Sequence, residues 1–178
     1  RIETMVRTCA ELGYEYMAIT DHSERAWSSR SLSVVDVVDQ RAEVEHLRRR
    51  YANIRIIHGV EVDIMQDGTL DFADDVLAGF DIVLASLHDH GGHSTAQLTE
   101  RYLAAMRNPY VNVLTHPLNR TPGISNGYTL DLERIFAAAV ETGTAMEIDG
   151  APGHLDMDGE IARQAVAAGV TVVVDSDC

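Results

Sequence analysis

Positive charge is scarce in this chain of 178 residues: 14 Lys and Arg stand against 28 Asp and Glu, a formal net charge of −14. So acidic a surface repels phosphate backbones, which makes the chain by itself a poor general binder of nucleic acid. A nucleic-acid partner is expected only where a basic module is attached. Cysteine is nearly absent. Cys9 and Cys178 lie far apart and make no disulfide framework, so a reducing, cytoplasmic setting is the simpler expectation. No apolar run is long enough to span a bilayer, no signal peptide is legible, and no membrane partner is expected. A glycine-rich phosphate loop after the first strand is missing, which speaks against a dinucleotide fold. There is no internal repeat and no low-complexity segment.

What is present suffices for one domain with a sizeable core: 46% of residues are apolar. Ile2, Met5, Val6, Cys9 and Leu12 follow helical spacing, and Gly13 ends that helix. Helices are also expected over 34–51, 74–78, 95–107, 130–141 and 160–168. Ser94 or Thr95 caps the third of these, and Arg48, Arg49 and Arg50 suit the C-terminal dipole of the first. Between them, apolar runs predict six strands at 14–20, 55–62, 80–87, 111–115, 144–148 and 170–175. The polar segment 24–33, with the single Trp27, reads as a loop over one end. Helix and strand in alternation imply an α/β fold, a parallel sheet with helices outside.

The run Arg55 to Asp63 is the most informative stretch. On a strand, Arg55, Ile57, Gly59, Glu61 and Asp63 share one side, and His58 points to the other with Ile56 and Val60. An acid at the end of a buried strand is costly unless something positive meets it. The other strands end in similar groups: Asp21 and His22, His88 and His90, His116, Glu147 and Asp149, Asp175 and Asp177. Singly each is weak, since a strand-end histidine is usually structural and an Asp there is usually a cap or turn residue. Their recurrence at the same end of successive strands is the signal, because in a barrel of parallel strands those ends form the active-site face. Parity agrees: His22 shares a face with Thr20, His88 with Ser86 and Asp177 with Asp175. His46 and His58 read instead as a solvated and a core residue, and His154 has no clear role. Imidazoles mixed with carboxylates suit manganese, zinc or iron rather than calcium or magnesium, and such ions activate water for phosphoryl or acyl transfer.

Several stretches, taken in order, carry a resemblance. They are Ala18-Ile19-Thr20-Asp21-His22-Ser23, Gly59-Val60-Glu61-Val62-Asp63-Ile64, Asp67-Gly68-Thr69-Leu70-Asp71-Phe72, Val83-Leu84-Ala85-Ser86-Leu87-His88, Asn108-Pro109-Tyr110-Val111-Asn112, His116-Pro117, Glu141 to Ile148, and Ser176-Asp177. With them the chain resembles the PHP (polymerase and histidinol phosphatase) family, most closely the PHP domain of bacterial family-X DNA polymerases and their stand-alone relatives. The resemblance implies a distorted (β/α)7 TIM-like barrel over residues 1–178. It also implies that the chain is a piece truncated at both ends, lacking the first strand and the segment after the last.

Carried over by motif, His22, Glu61, His88, His116 and Asp177 are metal ligands for two or three divalent ions, with Glu61 shared between two. Glu61, His88 and Asp177 are the catalytic set. Asp21 and Glu147 stand behind them, and Arg120 contacts phosphate. The implied activity is metal-dependent hydrolysis of a phosphate ester by metal-activated water. The substrate is a small phosphomonoester or a DNA 3′ end, and the alternative is a non-catalytic scaffold or binding module of a DNA polymerase. Departures from the family's pattern are Thr115, Asp149 and Asp175, Glu24 in place of a lysine, and His154 in a loop that often carries arginine.

Overall fold

The computed structural model describes residues 2–26, 31–89, 91–151 and 153–177; Trp27, His90 and Cys178 lie outside the described residues. The elements in order are α1 (Ile2–Glu11), β1 (Tyr16–Ile19), β2 (His22–Ser23), β3 (Ser31–Leu32), α2 (Val34–Arg50), β4 (Arg55–Asp63), α3 (Asp74–Leu77), β5 (Ile82–Ser86), α4 (Thr95–Met106), β6 (Val113–Leu114), α5 (Leu132–Thr142), β7 (Ala145–Asp149), α6 (Gly159–Ala167) and β8 (Val172–Asp175). The strands form one sheet in the order β3-β2-β4-β5-β6-β7-β8, with β1 also on β4, and every pairing between these strands is parallel. Among the described residues no pairing joins β8 back to the other end. No described helix is long and apolar enough to cross a membrane.

All six expected strands are found, several of them shorter. The first is divided. Tyr16 to Ile19 pair with Arg55 to His58, the line breaks at Thr20 and Asp21, and His22 resumes opposite Glu61. The loop expected over 24–33 is corrected in part: Ser31 and Leu32 form β3, paired with His22 and Ser23. A strand of two residues has no periodicity to read, and the open edge of β2 creates it. Helix ends follow local chemistry. Ser33 with Asp36 and Ser94 with Gln97 make reciprocal capping boxes. Gly143 closes α5 at φ +74, a conformation cheap only for glycine.

The two faces of the sheet differ. Outward, Val60, Val62, Val83, Ala85, Leu114 and Met146 join the main core with residues of α4, α5 and α6. On the other face, Leu84, Val113 and Ala145 make a small apolar floor with Ile82 and Val173. Register places Glu61 beside Leu84 and Asp63 beside Ser86, so the polar groups continue this inner face toward the C-terminal strand ends. Gly59 is required on that face, where a Cβ would stand 2.6 Å from Ile82 Cγ2 and 2.9 Å from Ile82 O.

Two buried polar groups tie helices to the sheet. Arg101 of α4 is 3% exposed and donates to Ile64 O (2.5 Å), Met65 O (2.9 Å) and Asp89 O (2.7 Å). It thereby clamps the turns that follow β4 and β5. His58, as its parity predicts, faces α2: its Nε2 lies 3.0 Å from Gln40 Oε1 and its ring packs on Phe80. Arg101→Met would strand three carbonyls, and a loss of about 3 kcal/mol in urea unfolding is expected; an unchanged midpoint would contradict the clamp.

Burial, with the charge of Arg41, holds the His58 pKa below its usual 6.5. As pH falls through 6.5 the unfolded chain takes up a proton that folded His58 resists, so stability drops on the acid side. The fall in thermal midpoint between pH 7 and about 5.5 should therefore be smaller in His58→Phe than in the parent chain.

Candidate metal centre

Glu61 lies in the buried C-terminal part of β4 and is 3% exposed. Among the described residues no arginine pairs with its carboxylate; three imidazoles do. His22 Nε2 lies 3.5 Å from Oε2, and His88 Nε2 and His116 Nε2 lie 3.4 and 3.0 Å from Oε1. The rings stand in a row, His22 to His88 at 5.3 Å and His88 to His116 at 5.2 Å between centroids. Each comes from a different strand end: His22 from β2 directly opposite Glu61, His88 two residues beyond β5, and His116 two residues beyond β6. His22, Glu61 and His88 offer ligand atoms that all lie within 4.8 Å of one another, an arrangement that could hold a metal ion.

A second layer fixes these rings. Asp63 Oδ1 lies 2.5 Å from His88 Nδ1, which leaves Nε2 turned toward Glu61, and Ser86 Oγ sits 3.3 Å from each partner. Glu147, fully buried on β7, accepts from Thr115 Oγ1 (2.5 Å) and from the His116 backbone N–H (2.6 Å). That grip holds His116 at φ +28, a backbone strain of order 1–3 kcal/mol tolerated where neighbours enforce it. Asp21 acts through two groups. Its carbonyl accepts the Glu61 N–H at 3.1 Å, while its carboxylate accepts from Gln40 Nε2 at 2.6 Å, away from the imidazoles.

Electrostatics follow from burial and proximity. Burial opposes a charged His116 ring, but the hydrogen bond to Glu61 and the charges of Glu61, Glu147 and Asp177 outweigh it and push the pKa up to about 9. Burial raises Glu61, and the His116 bond with the other imidazoles brings its pKa below the usual carboxylate value. Glu147 is pushed up to about 8 by burial and its hydrogen bond to Asp175. Asp177 is raised by burial and by the nearby Glu61 charge.

The remaining expected residues sit at the margin. Asp177, at φ +43, lies with Asp149 and His154 in a second group rather than with His22 and His88. Arg120 is part-buried and faces the 155–158 loop, donating to Leu155 O at 3.3 Å with Asp158 Oδ2 at 3.7 Å. Asp63, a strand-end acid beside Glu61 to which no ligand role was given, is a close partner of His88. Its signal was available, since it shares the inner face of β4 with Glu61 two residues earlier.

Fold and site together define an α/β protein of the TIM-like barrel class with an imidazole–carboxylate centre at its strand ends. The chain belongs to the PHP family: the model of the PHP domain matches residues 1–119. Among its relatives is the DNA polymerase/3′-5′ exonuclease PolX of Bacillus subtilis, 38% identical over 99% of this chain and 31% of that protein. A probable phosphatase of Thermoanaerobacter sp. is 29% identical over 93% of the chain and 74% of its own length. The chain thus spans under a third of the polymerase relative and about three quarters of the phosphatase. In fold it is similar to the histidinol phosphate phosphatase of Lactococcus lactis, solved with zinc, L-histidinol and phosphate, at 16% identity and a TM-score of 0.60 over 98% of this chain and 78% of that one.

Proposed function

We propose that the chain is a metal-dependent phosphoesterase domain that hydrolyses a small phosphomonoester. The carrying observation is the convergence of His22, His88 and His116 Nε2 on the buried Glu61 carboxylate. These residues fit divalent ions. His88 presents Nε2 to the centre because Asp63 holds its Nδ1, the arrangement usual for metal-bound imidazole. The donor set suits manganese, zinc or iron. His22, Glu61, His88 and His116 would hold two or three such ions, with Asp177 at the rim and Glu61 shared between two of them. Bound divalent ions supply Lewis acidity, a nucleophile from water near neutral pH, and charge neutralisation for the phosphoryl group.

The chain's own residues do the rest. Glu61, His88 and Asp177 line the reacting position. Glu147 keeps His116 aimed by gripping its backbone, and the Asp21 carbonyl fixes Glu61. Arg120, four residues past His116, would meet the substrate phosphate on leaving its 3.3 Å contact with Leu155 O. The phosphatase relatives and the formal charge of −14 support a small substrate. The 38% identity to PolX favours a second reading, a DNA 3′ end. A higher rate on a 3′-terminal nucleotide than on a small phosphomonoester would select that reading.

Protein carrying this chain, stripped with a chelator and given Mn2+, should hydrolyse a generic phosphomonoester, and Glu61→Gln should lower the rate on the order of 100-fold or more. Activity that survives Glu61→Gln or chelation refutes the proposal. Asp63→Ala should weaken Mn2+ binding by about 10- to 100-fold while the protein stays folded; unchanged affinity in a calorimetric titration would remove Asp63 from the centre.

A further inference from the structure

We propose that Asp149, His154 and Asp177 form a separate divalent-cation site on the rim of the Glu61 centre. The inference goes beyond the hydrolytic reading and does not require it. Asp149 ends β7 and is 0% exposed. Its Oδ1 accepts the Ala151 N–H at 2.7 Å, whereas the buried Oδ2 has no hydrogen-bond partner. A carboxylate oxygen left bare inside a protein is costly, and a cation is the partner that relieves it.

That oxygen faces His154 Nδ1 at 3.1 Å without the angle of a hydrogen bond, and Asp177 Oδ2 lies 4.0 Å from the same nitrogen. All three donor atoms fall within 4.8 Å of one another. Donors held about 2.1 Å from a common ion lie about 3–4 Å apart, so this spacing accepts one ion with little movement. Among the described residues no arginine pairs with Asp149 or Asp177.

The surroundings hold the donors in place. Ala151 O accepts from both His154 N–H (2.9 Å) and Leu155 N–H (3.0 Å). Asp156, fully buried, accepts from the N–H groups of Leu118, Asn119 and Met157 and so pins the far end of the loop. His154 itself is half-exposed, which gives the ion a path from solvent. One imidazole and two carboxylates, completed by water, suit manganese, iron or zinc over calcium. Asp177 links the two sites, being a rim residue of one and a donor to the other, while His22, Glu61 and His88 take no part in the second.

Mn2+ binding counted by electron paramagnetic resonance tests this. In a Glu61→Gln background, which disables the main centre, one Mn2+ should remain, and adding His154→Gln should abolish it. His154→Gln alone should bind one equivalent fewer than the parent chain with the same thermal midpoint. Because His154 is half-exposed and makes no hydrogen bond through its ring, this variant should fold. A variant-free check is the His154 imidazole proton signal in Glu61→Gln, which substoichiometric Mn2+ should broaden. Equal stoichiometry and affinity with and without His154, an unbroadened His154 signal, or no Mn2+ bound by the parent chain would each overturn the site. Absence of hydrolysis by the parent chain with its His154-dependent ion bound would count against the hydrolytic reading alone.

Discussion

A carboxylate buried without arginine is the constraint on which this structure turns. Glu61 is held inside the sheet on a strand whose outward residues are committed to the core, so it cannot swing to water. Its charge must be met where it stands. Three imidazoles meet it, from the ends of β2, β5 and β6, at 3.0 to 3.5 Å. Parallel strands make this possible, because register alone then brings the ends of β2, β4, β5 and β6 to one side of the sheet. On the floor beneath, the absence of a side chain at Gly59 leaves room for Ile82 of the next strand.

Support for the centre comes from residues that do not face it directly. Asp63 selects which nitrogen of His88 points inward, and Glu147 enforces a backbone conformation at His116 that a non-glycine residue otherwise avoids. Both are acids in a chain already rich in acid. Burial, and after it the neighbouring acids Asp175 and Glu61, raise the pKa values of Glu147 and Asp177 at this mouth. Divalent cations are the natural counter-charge for such a mouth. The same reasoning extends to Asp149, whose Oδ2, without a hydrogen bond, lies on the same rim.

Much of the centre was legible before any coordinates. Alternation along 55–63 separated Glu61 from His58, and the two side chains do part company, one toward the imidazoles and the other toward Gln40 on α2. Parity also placed His22 and His88 on the inner face. What escaped was contact detail. The Asp21 carboxylate turns to Gln40 and its carbonyl to the Glu61 N–H, contacts that no local pattern announces. The contact of Arg120 with the 155–158 loop was not legible in advance. His154 carried no signal, since its partners are 5 and 23 residues distant and meet it only when β7 and β8 lie side by side.

The sequence by itself determined most of the order of elements, the parallel α/β class and the opposite faces of Glu61 and His58 on their strand, because helical and strand periodicities are local properties of the chain. Only the tertiary structure decided which imidazole meets which carboxylate oxygen, which ring nitrogen is turned inward, and where an acid is left bare. Those choices depend on inter-strand register and on loop dihedrals such as that of His116, and both are set by packing between segments far apart in the chain.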